Sequence, residues 1–351
     1  MNITFIRRQW RSTGGAENYL LRLARCLQER GHTSHLICEE WSTSHSEGFV
    51  GITSLPIQAT RSEQPRIFAQ KVNRFLENHS TDCVFSLERG IRADIYRAGD
   101  GVHRSWIAQR ARFHPIRGRL SQWFNVKHRV ISELECFTFC AENTQQIIAN
   151  SDMVKKNILH DFDYPEENIA VIPNGVDFEY FSSGDRAKGR AALGIQENEF
   201  VLLLVGKGVE RKGHAYARKV AEHARARLII IDRPPNCPMP CVYSAADVFL
   251  FPTLYDPFAN VTLEAMAAGL PVITTADNGA KMLIQNTING FVVTHAACVD
   301  TMSQYVEALK SDVALRKKIG LAARATAHTC SMESHVEKTL QLCDKCVHAK
   351  E

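Results

Sequence analysis

The chain has 351 residues, with 42 Lys+Arg against 38 Asp+Glu, 45% hydrophobic and 23% charged residues. This is average soluble usage and excludes an intrinsically disordered chain, a collagen-like chain and a disulfide mini-protein. The formal net charge is only +4, and at roughly 100–200 residues per domain the length predicts two domains.

Asn2–Ile6 reads as a buried strand and Thr13-Gly14-Gly15 as a turn. Glu17–Arg30 reads as an amphipathic helix with Tyr19, Leu20, Leu23, Ala24 and Leu27 on one face. Gly31 ends it. Ser34–Cys38, Cys83–Leu87, Ile147–Asn150 and Ala170–Ile172 read as further strands. The pattern restarts at Phe200–Val205 and continues through Leu228–Ile231, Val248–Phe251, Val272–Thr275 and Phe291–Val293. Beyond Asp300 the chain is helix-forming to its end. Such alternation predicts two parallel sheets covered on both faces, with ligands at the carboxyl ends of the strands.

Met1–Ile6 is too short for a leader core and precedes Arg7-Arg8, and no apolar run approaches the ~20 residues of a membrane span. A cytoplasmic location is expected. Eleven cysteines, an odd count, fit reduced thiols. Cys237/Cys241 and Cys343/Cys346/His348 have metal-like spacing, but a structural zinc uses two knuckles at a defined separation, and these pairs are too far apart in sequence. They read as incidental, as does Asp161-Phe-Asp163, which does not end a strand. No metal site is expected.

Three strand-to-helix turns carry candidate chemistry. Gly14 and Gly15 permit close backbone approach before a helix amino end, although any tight turn favours glycine. Gly206-Lys207-Gly208-Val209-Glu210-Arg211-Lys212-Gly213 places three cations in a glycine-bounded loop. It suits a diphosphate but lacks the ending of a P-loop, and a solvated basic turn is the plainer reading. Asp256 to Gly269 puts Asp256 at a helix start and Glu264 two turns on, with the N–H groups of Phe258, Ala259, Asn260 and Val261 between them. An ordinary helix cap at Asp256 is the alternative.

In order along the chain, these motifs resemble the family-4 retaining glycosyltransferases of the GT-B fold. Gly14-Gly15-Ala16-Glu17 is similar to the family's G-G-x-E loop, Arg30-Gly31-His32 to its R-G-H, and Ile172-Pro-Asn-Gly-Val-Asp177 to its interdomain hinge. Arg211-Lys212-Gly213 is similar to its diphosphate loop. Asp256 to Glu264, followed by Ala265-Met-Ala-Ala-Gly-Leu-Pro-Val-Ile273, is similar to its E-x7-E element, with Asp for the first Glu. The resemblance implies an α/β fold of GT-B type, two Rossmann-like domains with parallel sheets facing across a cleft. It places an acceptor domain at 1–173, a nucleotide-sugar domain at 174–328, and a helix at 329–351 returning to the first domain. It implies that Gly14, Gly15, Lys207, Arg211, Lys212 and the amides of 258–261 hold the diphosphate and that Glu264 binds the ribose. It assigns catalytic roles to Asp100, His103 and Asp256 at the sugar and acceptor. One departure stands out: a strand–helix element expected after Leu228–Ile231 is missing or vestigial.

Residues 101–132 hold Arg104, Arg110, Arg112, Arg117, Arg119, Lys127 and Arg129 and no acidic residue, interleaved with Trp106, Ile107, Phe113, Trp123 and Phe124. Removing these seven from 42 leaves 35 basic against 38 acidic residues. The positive excess is therefore local, and it suits an anionic membrane surface or acceptor phosphates, with no nucleic acid partner. Within the family, the lipopolysaccharide-core glucosyltransferases are most similar. The expected activity is transfer of a hexose, glucose from UDP-glucose, to a membrane glycolipid. No cofactor beyond the nucleotide sugar is implied, and the expected place is the cytoplasmic face of the inner membrane. A GT-B nucleotide-sugar epimerase and a degenerate, non-catalytic binding module are the alternatives.

Overall fold

The computed structural model describes residues 1–10, 15–41, 48–113, 126–233 and 235–350. Gly14, Arg117, Arg119, Trp123 and Phe124 lie outside them. The chain forms two compact units: Met1–Asn150, Val154–Ile172 and Val336–Glu351 in the first, Ser151–Met153 and Pro173–His335 in the second.

The first unit runs β1 (Asn2–Ile6), α1 (Gly15–Glu29), β2 (Thr33–Cys38), β3 (Gly51–Ser54), α2 (Gln64–Leu76), β4 (Cys83–Ser86) and β5 (Ala93–Ala98). It continues through α3 (His103–Phe113), α4 (Val126–Thr138), β6 (Thr144–Ala149), α5 (Asp152–Asp161) and β7 (Ile169–Val171). Its sheet has the order β3-β2-β1-β4-β5-β6-β7, and every pairing is parallel. The apolar face of α1 is buried through Tyr19, Leu20, Leu23, Ala24 and Leu27. Helix α1 stops where Gly31 adopts a φ of 77° and its N–H returns to the Gln28 carbonyl.

The second unit contains α6 (Phe178–Ser182), α7 (Arg186–Ala192), β8 (Val201–Val205), α8 (His214–His223), β9 (Arg227–Ile231), α9 (Met239–Ala245) and β10 (Val248–Phe251). Then follow α10 (Asn260–Ala267), β11 (Val272–Thr275), β12 (Gly290–Val293), α11 (Val299–Ser311), α12 (Val313–His328) and α13 (Met332–His348). The sheet order is β12-β11-β10-β8-β9, again parallel. β8, β10 and β11 are buried along their whole length, which is why they read as unbroken apolar runs. After β9 the described chain enters α9 directly, so the sheet ends at β9 with five strands. Helix α13 begins in the second unit and passes into the first at Val336.

Both sheets have a topological switch point. In the first, the chain leaves β1 toward β2 and resumes on the other side at β4; in the second, it leaves β8 toward β9 and resumes at β10. The loops after those strands are where an open α/β sheet binds ligands.

Candidate functional site

In the second unit, the loops after β8, β10 and β11 are stitched together. The Arg211 carbonyl accepts from Leu254 N–H at 2.9 Å and from Thr253 Oγ1 at 2.8 Å. Asp256 N–H donates to the Asp277 carbonyl at 2.9 Å, and Gly279 N–H donates to the Asp256 carbonyl at 2.8 Å. Gly213 starts α8 at a φ of 74°, and a Cβ there would lie 1.8 Å from the Pro252 carbonyl oxygen. The diphosphate-type loop therefore ends in glycine for both conformation and space. His214, buried, donates Nε2–H to the Gly206 carbonyl at 3.1 Å and closes the loop on itself. Burial holds the His214 pKa below its ordinary value, so the ring stays neutral.

This stitching brings Lys212 and Asp256 into an ion pair, with the Lys212 ammonium 5.1 Å from the centre of the Phe251 ring. Lys207 is exposed and Arg211 half-buried in the same loop. Helix α10 starts at Asn260 from Ala259, which supplies no side-chain cap, so its amino end is left for another acceptor. Asn260 Oδ1 accepts from Asn174 Nδ2 at 2.7 Å. Phe258 and Ala259 are buried, Val261 half-buried. Glu264 is half-buried, and its Oε2 accepts from the buried Tyr243 hydroxyl at 2.6 Å. Burial pushes the Glu264 pKa up, against the Tyr243 hydrogen bond.

The first unit carries a denser polar network, of which the motifs revealed only part. At the switch point, Arg7 donates to Glu88 Oε1 at 3.1 Å and to Glu17 Oε1 at 3.3 Å, and Arg8 N–H also reaches Glu88 Oε1 at 3.0 Å. Burial pushes the Glu88 pKa up and the Arg7 guanidinium opposes it. Asp100 is exposed. Fully buried Glu135 on α4 accepts from Arg89 Nε at 3.2 Å, His103 N–H at 2.6 Å and Arg104 N–H at 3.3 Å, so it caps the amino end of α3 from a distance. His103 Nε2 and His128 Nδ1 are 2.9 Å apart. Burial, then the nearby Arg89, His128 and Lys127, push the His103 pKa down to about 4. Burial likewise lowers that of His128. Both rings are neutral at pH 7, so one donates to the other. Glu88, Glu135 and His128 are missing from the motif reading because each partner lies far away in sequence. The available signal was a charged residue directly after a buried strand (Glu88).

The basic segment is divided by the fold. Helix α3 has no fully buried residue, and Arg112 on α3 and Lys127 and Arg129 on α4 are exposed. Arg110 is half-buried. Arg104 is exposed yet tied down: it donates to the Asp161 carbonyl at 3.0 Å and lies 4.8 Å from the Phe162 ring centre. Asp161 accepts from Ser105 at 2.6 Å, a structural use of the Asp-x-Asp pair. Cys343 and Cys346 are buried on α13, and the described residues hold no group of three or more His, Cys, Asp or Glu able to bind a metal ion.

Against this geometry, the Glycosyltransferase Family 4 profile matches residues 13–180 and the profile described as Glycosyl transferases group 1 matches 190–312. The chain belongs to the family-4 glycosyltransferases. This family-4 chain is 23% identical over 362 residues to the lipopolysaccharide glucosyltransferase WaaG of Escherichia coli K12, covering 94% of this chain and 95% of that one. The WaaG crystal structure superposes with a TM-score of 0.80 at 21% identity, covering 96% of this chain and 98% of that one. An Anabaena protein, HepE, crystallised with UDP and glucose, has a TM-score of 0.74 at 17% identity over 98% of this chain and 100% of that one. These likenesses show the GT-B fold. An uncharacterized glycosyltransferase of Methanocaldococcus jannaschii is 28% identical over 207 residues, 50% of this chain and 53% of that one. The chain spans about half the length of several of the curated relatives it matches.

Proposed function

We propose that this glycosyltransferase moves a hexose, glucose from UDP-glucose, onto a membrane glycolipid of the lipopolysaccharide-core kind, with retention of anomeric configuration and without a metal ion. The observation that carries this reading is the convergence of Lys212, Asp256 and the uncapped amino end of α10 in loops at the second sheet's switch point. Departure of a nucleoside diphosphate develops negative charge on its phosphate oxygens. Lys212, with Arg211 and Lys207, supplies positive charge there, and the N–H groups of 258–261 supply oriented donors. Asp256 keeps Lys212 aimed and offers its carboxylate to sugar hydroxyls. Neutral His103 hydrogen-bonds a hydroxyl of the transferred sugar, and Asp100 orients the acceptor.

The choice of glucose, UDP and a lipopolysaccharide acceptor is supported by the names of the relatives: WaaG is a lipopolysaccharide glucosyltransferase, and HepE was crystallised with UDP and glucose. The exposed cations Arg112, Lys127 and Arg129 suit acceptor phosphates or an anionic leaflet, each contributing about 1 kcal/mol near such a surface. No described helix is long and apolar enough to cross a membrane, so this docking is read as peripheral, on the inner face of the inner membrane. The test is transfer by the purified protein from a panel of nucleotide sugars to glycolipid in anionic vesicles, with the product's anomeric configuration read by NMR. An α-linked glucoside from UDP-glucose is expected; a β-linked product or no turnover of any donor overturns the reading.

A further inference from the structure

We propose that Tyr243 is a positioning residue that fixes the Glu264 carboxylate, taking one oxygen and leaving the other for the ribose hydroxyls of the donor nucleotide. The proposal rests on the reading above that Glu264 meets that ribose.

The placement begins after β9, where the sheet ends. The chain enters α9 within seven residues of Ile231, and α9 is itself only seven residues long, Met239–Ala245. So short a helix is held by its neighbours. A Cβ on Gly184 would lie 2.2 Å from the Pro240 carbonyl oxygen, and one on Gly189 of α7 would lie 1.9 Å from the Cys241 carbonyl oxygen. Backbone thus packs on backbone, and α9 has no freedom to rotate. Its Tyr243 ring meets Phe181 of α6 at 5.8 Å and Phe249 of β10 at 6.0 Å, both between centroids. The ring is fully buried and its hydroxyl ends 2.6 Å from Glu264 Oε2.

A phenol is a donor to a carboxylate, so Oε2 is occupied and the carboxyl plane is fixed. Oε1 is left to accept from two vicinal hydroxyls, a match to ribose. On the carboxyl, burial acts upward and the Tyr243 bond downward. Of the charged groups on the elements packed against α10, Arg316 of α12 donates to the Leu309 carbonyl, Lys317 and Lys318 are exposed, Arg324 lies over Phe178 of α6 at 5.7 Å, His328 meets the same ring at 4.7 Å, α6 carries Glu179, and Lys281 in the 279–283 turn donates to the Ala276 carbonyl. Tyr243 is therefore the group that opposes the upward push of burial on the Glu264 carboxyl.

The experiment measures UDP and 2′-deoxy-UDP binding by calorimetry between pH 8 and pH 5, for wild type, Tyr243→Phe and Glu264→Gln, with a melting curve for each. Tyr243→Phe removes one oxygen. At pH 8 it should weaken UDP binding about tenfold, with a smaller loss for 2′-deoxy-UDP. Without the bond the carboxyl protonates more readily, so the acid fall-off of UDP binding moves to higher pH. Unchanged UDP affinity, or weaker affinity with the fall-off unmoved, overturns the positioning role. Wild-type UDP affinity in Glu264→Gln instead overturns the ribose reading on which the role rests.

Discussion

His103 is the residue whose role depends most on a neighbour that no motif marks. It follows a buried strand and a glycine turn, a position readable from Asp100-Gly101-Val102-His103. Its partner His128 is not readable, because the contact joins α3 to α4 across a separation of 25 residues. The His128 contact atom is Nδ1, which the side chain of Asn imitates and that of Leu does not. His128→Asn should therefore keep most of kcat for glucosyl transfer, and His128→Leu should lower it about tenfold with little change in donor KM. Equal losses in both variants would reduce the contact to packing. The sign of the pH dependence follows from the pKa values. A histidine at about 4 in the fold and 6.5 unfolded contributes stability above pH 6.5 that is lost as pH falls toward 4. The melting temperature should drop across that window, and less steeply in His103→Gln. Glu88, Glu135 and Glu264, raised by burial, act in the opposite sense, so the comparison with His103→Gln isolates the imidazole.

At the scale of elements, the strands buried on both faces were legible because β8, β10 and β11 are continuous apolar runs. β3, with Gly51–Ser54 half-buried to exposed at the sheet edge, left no such signal. The lysine loop was legible from its glycines and cations, whereas its closure by His214 and its stitching to Thr253 and Leu254 were not, since backbone carbonyls are the acceptors. Gly213→Ala meets both a left-handed φ and the Pro252 carbonyl. It should cost on the order of 2 kcal/mol or more and abolish UDP binding; a variant with wild-type melting temperature would contradict the loop's geometry. The basic segment yields a separate expectation. Arg112 and Arg129 are exposed on α3 and α4. Replacing both by Ala should weaken binding to anionic vesicles by roughly 2 kcal/mol, steeply reduced by salt, and leave transfer to a soluble acceptor unchanged. Wild-type vesicle affinity in the double variant would remove the segment from membrane docking.

For the whole molecule, two parallel sheets, each with a switch point, were foreshadowed by the restart of the strand–helix pattern at Phe200. The polar groups sort between the units. The first gathers carboxylates and neutral imidazoles around Arg7 and Arg89; the second gathers Lys212, Asp256, Glu264 and a helix amino end. That division suits a hydroxyl-bearing acceptor on one unit and a diphosphate on the other. It was only partly legible, because Glu88, Glu135 and His128 meet their partners across long sequence separations that no motif marks. The most direct measurement is UDP release from UDP-glucose in the presence of glycolipid vesicles, comparing wild type with Lys212→Ala. The account predicts acceptor-dependent release by wild type and a loss of at least about a hundredfold in the variant. Equal rates in the two proteins, or no release by wild type, would contradict it.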